Sequence, residues 1–384
     1  MVSNSPDPVD NFEVPQVKEG KRISRWLMAV LISLIVVPVG FYSWVWLYAN
    51  SPGASGYFEK IQVYIPPKSG FPQIEKILIE SRVIEDDFRF RLLARYLGVS
   101  TRLKAGEYVF TAEHTPLLIL KDIEQGKTIP RTLAIAEGLN IYQIAEKIAS
   151  GGWGRPDELL LLMSDPEFLS EMGVRANSLE GYLFPDTYFF ERSDSPQHIL
   201  ATMFRRMQTV ILTECENASL VEGVLFDCDG QAGEAVSKVE NSKAVDQIVR
   251  LSVNQVLTLA SIVEKETGFS EERPLVAKVF INRLKKGMRL QADPTVVYGL
   301  KKFGQQLSRK DLKTPTPYNT YTETGLPAGP ICNPGKASIS AVFNPAAENY
   351  LYFVLQEDGG HYFSNSLKEH NQAVARLRKF EKEN

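Results

Sequence analysis

The stretch LSVNQVLTLASIVEKET, Leu251 to Thr267, carries an apolar helical pattern straight into two carboxylates, Glu264 and Glu266, at its far end. A carboxyl group held at the edge of an apolar surface is partly desolvated. Desolvation penalises the charged form and raises the pKa toward the range where the group donates a proton near neutral pH. Proton donation to a leaving oxygen is then within its reach. The same Glu-Lys-Glu run also fits a solvated helix end, so the rest of the chain must decide. Helical periodicity does not choose between the two acids: at 100° per residue the apolar positions centre midway, leaving each glutamate about 80° from the middle of that face.

The 384 residues are 44% hydrophobic and 23% charged, enough for two or three globular domains. A net charge of -3 without a basic stripe argues against nucleic acid as a partner. From Trp26 to Tyr48 the chain passes without a charge, long enough to cross a hydrocarbon core of about 30 Å. Lys18, Lys21, Arg22 and Arg25 precede this segment and no charge follows it up to Tyr57. The positive-inside bias therefore places residues 1–25 in the cytoplasm as a disordered, Pro-containing tail and everything after Tyr48 outside. A cleaved signal peptide is the competing reading, but the apolar run exceeds the usual signal core and no clean small-residue cleavage site follows.

Cys215, Cys228 and Cys332 make an odd count in a chain placed mostly outside the cytoplasm. Cys215 and Cys228 could form a local disulfide, which spacing alone cannot show. His114, His198, His361 and His370 have no metal-ligand spacing, so neither a metal nor a cofactor is expected.

After a linker at 49–56, an apolar strand at Ile61 to Ile65 passes through Pro66, Pro67 and Gly70 into Ile74, Ile77 and Leu78 at helical spacing. A second copy begins at Leu133 to Ile135, passes Gly138 and enters Ile141, Ile144, Ala145 and Ile148. Helices at Phe88 to Leu97 and Leu117 to Glu124, and a strand at Leu103 to Phe110, complete an α+β module over 57–150. Paired units of this kind resemble the LysM-like fold, a βααβ module that holds N-acetylglucosamine polymers. Beyond 150 the clearest helices are Asp157 to Met163, Pro196 to Glu216 and Val245 to Thr267, with a polar insert at 216–243 read as a surface loop.

The C-terminal third holds the densest set of unusual residues. A helix at Pro274 to Lys286 stops at Gly287. The turn Gln291-Ala292-Asp293-Pro294-Thr295 follows, then Thr314-Pro315-Thr316-Pro317-Tyr318-Asn319-Thr320-Tyr321. Tyrosines can stack on sugar faces while amide and hydroxyl groups bond to hydroxyl and acetamido groups. A proline-braced structural loop is the alternative.

Several of these pieces, taken in order, resemble the YceG-like (MltG-type) endolytic murein transglycosylases. They are Glu180-Gly181-Tyr182-Leu183-Phe184-Pro185-Asp186-Thr187-Tyr188, Ala260 to Thr267, Val279-Phe280-Ile281-Asn282-Arg283-Leu284, Gly287 to Gly299, Tyr318 to Tyr321 with Gly325-Leu326-Pro327, Gly360 to Phe363, and His370-Asn371. The resemblance implies an α+β catalytic domain over 151–384 behind a single span and the LysM-like module. It also implies cleavage of the MurNAc-GlcNAc β-1,4 bond of nascent peptidoglycan to 1,6-anhydro ends, without water as nucleophile. By position in the family motif Glu266 is the catalytic acid and Glu264 a binding or structural neighbour. Glu180, Asp186, Gln291, Asp293, Thr295, Tyr318, Asn319 and Tyr321 are the expected glycan-facing or groove-ordering residues. The implied partners are peptidoglycan strands, the inner membrane, with the catalytic domain in the periplasm, and penicillin-binding protein synthases. A non-catalytic peptidoglycan-binding anchor that recruits synthases is the alternative of a different class.

Overall fold

In the computed structural model, residues 20–52, 60–218, 224–228, 249–357 and 359–383 are described. Most of the expected cytoplasmic tail, part of the 49–56 linker and most of the 216–243 insert lie outside them. The chain divides into two compact units, Met1–Ile129 and Pro130–Asn384.

The first unit opens with α1 (Gly20–Asn50), of which Trp26–Asn50 is long and apolar enough to cross a membrane by length and composition. Next come β1 (Ile61–Ile65), α2 (Phe71–Glu80), α3 (Arg89–Tyr96), β2 (Gly106–Phe110) and α4 (Pro116–Gln125). Strands β1 and β2 pair antiparallel, from Ile61 opposite Phe110 to Ile65 opposite Gly106. The alternating residues Val63 and Ile65 face a core with Ile74, Leu78, Phe90 and Ile119. This period-two burial is what makes so short a pair persist.

The second unit begins with β3 (Arg131–Ala134), α5 (Ile141–Ser150), α6 (Pro156–Leu162), α7 (Pro166–Glu171), β4 (Thr187–Phe190) and α8 (Pro196–Glu216). Because β3 pairs antiparallel with β4, and Ile141, Ile144 and Ile148 bury beside Tyr188 and Phe190, residues 131–150 pack with the C-terminal unit. The division therefore falls at residue 129, whereas the sequence put it at 150. A strand needs its partner, and this partner lies at 187–190.

Completed by β4, the second copy runs parallel to the first in detail. Tyr108 donates to the Lys104 carbonyl at 2.9 Å and Tyr188 to the Phe184 carbonyl at 2.6 Å, each four residues back. Tyr108 stacks on Phe110 and Tyr188 on Phe190. Thr115 and Ser195 then cap α4 and α8 ahead of Pro116 and Pro196, the arrangement that satisfies early helical N–H groups.

The insert is not wholly a loop, since β5 (Val224–Asp227) pairs in parallel with β6 (Val249–Ser252). Strand β6 takes four residues of the helix expected from Val245, whose residues 245–248 lie outside the described ones. A Cys215–Cys228 disulfide closes α8 onto β5, and Cys332 is buried as a free thiol. The helix itself, α9 (Val253–Glu266), starts at a reciprocal cap between Ser252 and Gln255. After it come α10 (Arg273–Lys285), α11 (Asp293–Gly299), α12 (Lys336–Phe343), the antiparallel pair β7 (Tyr352–Leu355) and β8 (His361–Ser364), and α13 (Leu367–Glu383). Every residue of α9 from Val256 to Val263 is buried, with α10 and α12 packed against it. Burial of the whole central stretch explains why helical periodicity could not separate the two glutamates.

Candidate active site

At the C-terminal end of α9 the two acids have opposite surroundings. Glu264 is committed: its Oε2 accepts from the Gly335 N–H at 2.9 Å and its Oε1 from Arg273 Nη2 at 3.2 Å. Arg273 also lies 3.9 Å from Glu137. A Cβ on Gly335 would stand 2.0 Å from the Glu137 carboxyl, which would have to swing aside. Glu264 thus clamps α9 to α10 and to the loop before α12.

Glu266 is half-buried, and among the described residues no hydrogen bond reaches its carboxyl. Burial pushes its pKa up to about 8, the Asp293 charge adds to the rise, and the Arg283 guanidinium opposes it. A helix C-terminus, with its outward carbonyls, disfavours a carboxylate further. Both effects favour the neutral carboxylic acid over the carboxylate at this position.

Arg283, which the sequence showed only as part of a motif, is the cation of this cluster. Its Nε donates to the Leu351 carbonyl at 2.7 Å, its Nη1 donates to the Leu290 carbonyl, and its guanidinium lies over the Tyr352 ring at 5.5 Å. The available signal was an arginine on an otherwise buried helix, since a buried charge needs partners. Beside Tyr352 stacks His370, whose Nδ1 is buried without a hydrogen-bond partner.

Two loops complete the surroundings. Gln291, exposed and in the left-handed region at φ 51°, turns the chain so that its N–H donates to the Thr320 carbonyl at 3.2 Å. The Ala292 N–H donates to Thr320 Oγ1 at 3.0 Å, and the Thr295 and Thr320 hydroxyls lie 2.9 Å apart. Asn319 is fully buried, donating to the Leu312 and Thr314 carbonyls and accepting from the Tyr321 N–H at 2.8 Å. That brace aims Tyr321 so that its hydroxyl donates to Asp293 Oδ1. Burial and the charges of Asp293 and Glu266 together raise the Tyr321 pKa, which places all three near one another.

Glu266, Asp293, Tyr321 and Arg283 thus share one electrostatic site, with Gln291 at its turn. Thr295 and Asn319 act as buried scaffold. Tyr318 packs its ring 4.8 Å from Tyr298. Glu180 is elsewhere in the core, 2% exposed, accepting from the Ile141 N–H at 3.1 Å, the Tyr298 hydroxyl at 2.9 Å and Asn333 Nδ2 at 3.0 Å. Burial pushes its pKa up to about 8 despite those donors. Gly181, at φ 84°, keeps a side chain out of Pro330, 2.4 Å from where a Cβ would stand. The Glu180-Gly181 motif is consequently a packing junction. Asp186 sits at the surface, paired with Arg206 Nε at 3.1 Å.

Known proteins resemble this chain. The YceG-like family matches residues 63–376. An endolytic murein transglycosylase of Bacillus subtilis is 31% identical over 329 residues, covering 82% of this chain and 83% of that protein. One from Streptococcus pneumoniae is 27% identical, covering 92% of this chain and 65% of that protein. The crystal structure of a yceG-like protein from Listeria monocytogenes superposes with a TM-score of 0.51 at 33% identity, covering 82% of this chain and 99% of that one. With the match running through both units, the chain belongs to the YceG-like family.

Proposed function

We propose that this chain is a peptidoglycan lytic transglycosylase that cleaves the MurNAc-GlcNAc β-1,4 bond inside nascent strands, with Glu266 as its acid. The observation that carries the reading is the unpartnered Glu266 carboxyl with its pKa near 8. In the reaction Glu266 protonates the glycosidic oxygen, the C1–O4 bond breaks, and an oxocarbenium-like centre develops. Glu266, now a carboxylate opposite Arg283, takes the proton of the sugar's own C6 hydroxyl as that oxygen bonds C1 and closes the 1,6-anhydro ring. No external nucleophile has to be captured, so the closing step costs little entropy. Tyr321 holds Asp293 beside the acid, where its negative charge favours the developing cation.

Trp26–Asn50 would anchor the enzyme in the cytoplasmic membrane with its N-terminus inside, keeping the active site near newly made strands and near synthases. The β1-α2-α3-β2 order supports a LysM-like role for the first unit. A second reading also has support: Asp293 is a second carboxylate close enough to act on Glu266, and an acid pair is what a water-using muramidase requires. The products decide between them. Peptidoglycan incubated with the full-length enzyme and analysed by mass spectrometry should show 1,6-anhydromuramyl ends. Reducing ends would establish the muramidase, and intact strands would leave only a binding role.

A further inference from the structure

Next to the Glu266 cluster lies a cavity of about 510 Å³ lined by Arg289, Arg309, Lys313, Leu312, Tyr321 and Thr322. All three cations are exposed, and among the described residues none has an ion pair or a side-chain hydrogen bond. The acid between them in sequence, Asp311, does not neutralise them, because its carboxylate is taken up by Lys302 Nζ at 2.7 Å and by the Ser308 N–H and hydroxyl. Three unpaired positive charges thus line one opening. They repel one another, and an anionic ligand would relieve that repulsion.

We infer that this cavity binds the acidic peptide stem that muramyl residues carry, an inference that rests on the glycan-cleaving function proposed above. Three separated cations suit several carboxylates along a short peptide, and the cavity is of the size that holds a small ligand rather than a single ion. Leu312 and the Tyr321 ring offer an apolar wall for small side chains. Tyr321 ties the cavity to the chemistry, since its ring lines the opening while its hydroxyl bonds to Asp293. A stem seated here would fix which glycosidic bond of the strand reaches Glu266 and would favour strands that retain their peptides.

The test compares the full-length wild type with the R289A/R309A/K313A variant and with R309E, all in detergent, on strands with stems and on strands stripped of them by an amidase. For stem-bearing strands the triple variant should raise KM by about tenfold with kcat unchanged, as expected when rim charges that act in binding are removed. R309E should do the same, and stripped strands should be unaffected. An equal loss on both substrates, or no loss on either, would overturn the assignment. Fluorescence anisotropy with a labelled stem peptide reads the cavity directly, even if no strand is cleaved. It should show wild-type binding that weakens about tenfold in the variant and falls as salt rises. Binding of inorganic pyrophosphate without binding of the peptide would make the cavity a phosphate site and refute the stem assignment.

Discussion

Glu266→Gln is expected to lower strand cleavage by about 10³-fold while leaving the protein folded, because removing a general acid forfeits a proton transfer that typically contributes 10²–10⁴. The charge-neutral swap is clean here. With a pKa near 8 the wild-type side chain is already neutral at pH 7, and it holds no hydrogen-bond partner that the amide would orphan. At pH 7 the unfolding free energy should hold or rise, because the amide removes the cost of protonating a carboxyl that is ionised in the unfolded chain. Glu264→Gln should show the reverse pattern, losing stability through the Arg273 contact while cleavage survives. Reducing-end or anhydro-end counts from a defined strand, set beside melting curves, would check both. Cleavage that vanished with Glu264 and persisted without Glu266 would reverse the assignment.

Glu180→Leu is expected to cost about 3–5 kcal/mol, since it leaves the Ile141 N–H, the Tyr298 hydroxyl and Asn333 Nδ2 buried without their acceptor. For a unit of this size the melting temperature should fall by roughly 10 °C. The milder Glu180→Gln keeps an acceptor and should retain most of the fold. The same carboxyl gives stability a pH dependence of definite sign. Glu180 and Glu266 both have folded pKa values near 8 against an ordinary 4.5, so between these limits the folded state binds more protons than the unfolded one. Their contribution is complete below about 4.5 and is lost as pH rises toward 8, so that part of the stability falls across the window. Glu180→Gln should flatten this slope in melting curves taken from pH 4.5 to 8, and an unchanged slope would count against a buried neutral Glu180.

Much of the helical framework could be read directly, because apolar spacing, Pro starts and Gly stops report local geometry. Pro196 to Glu216 was placed to the residue, and α10 was shifted by one. What the sequence concealed was nonlocal. That β3 needs β4 depends on contacts between residues 131–134 and 187–190, and no period within either strand reveals them. The same holds for β5, whose partner β6 lies beyond the insert. Within the site, the motif drew attention to Glu180, Thr295 and Asn319, yet each has its polar atoms committed to the protein itself. A polar residue in a motif is equally consistent with a groove and with a buried junction, and only the count of satisfied partners separates them. By that count Glu264 and Glu266, indistinguishable on a helical wheel, part company: one is saturated and the other bare.

The proposed reaction requires Glu266 to carry a proton at neutral pH. Carboxyl ¹³C NMR of glutamate-labelled protein, with Glu266→Gln used to assign the signal, would read that proton directly. A resonance lost in the variant and titrating near pH 8 in the wild type is the predicted result; one titrating near 4.5, as an ordinary solvated glutamate does, would contradict it.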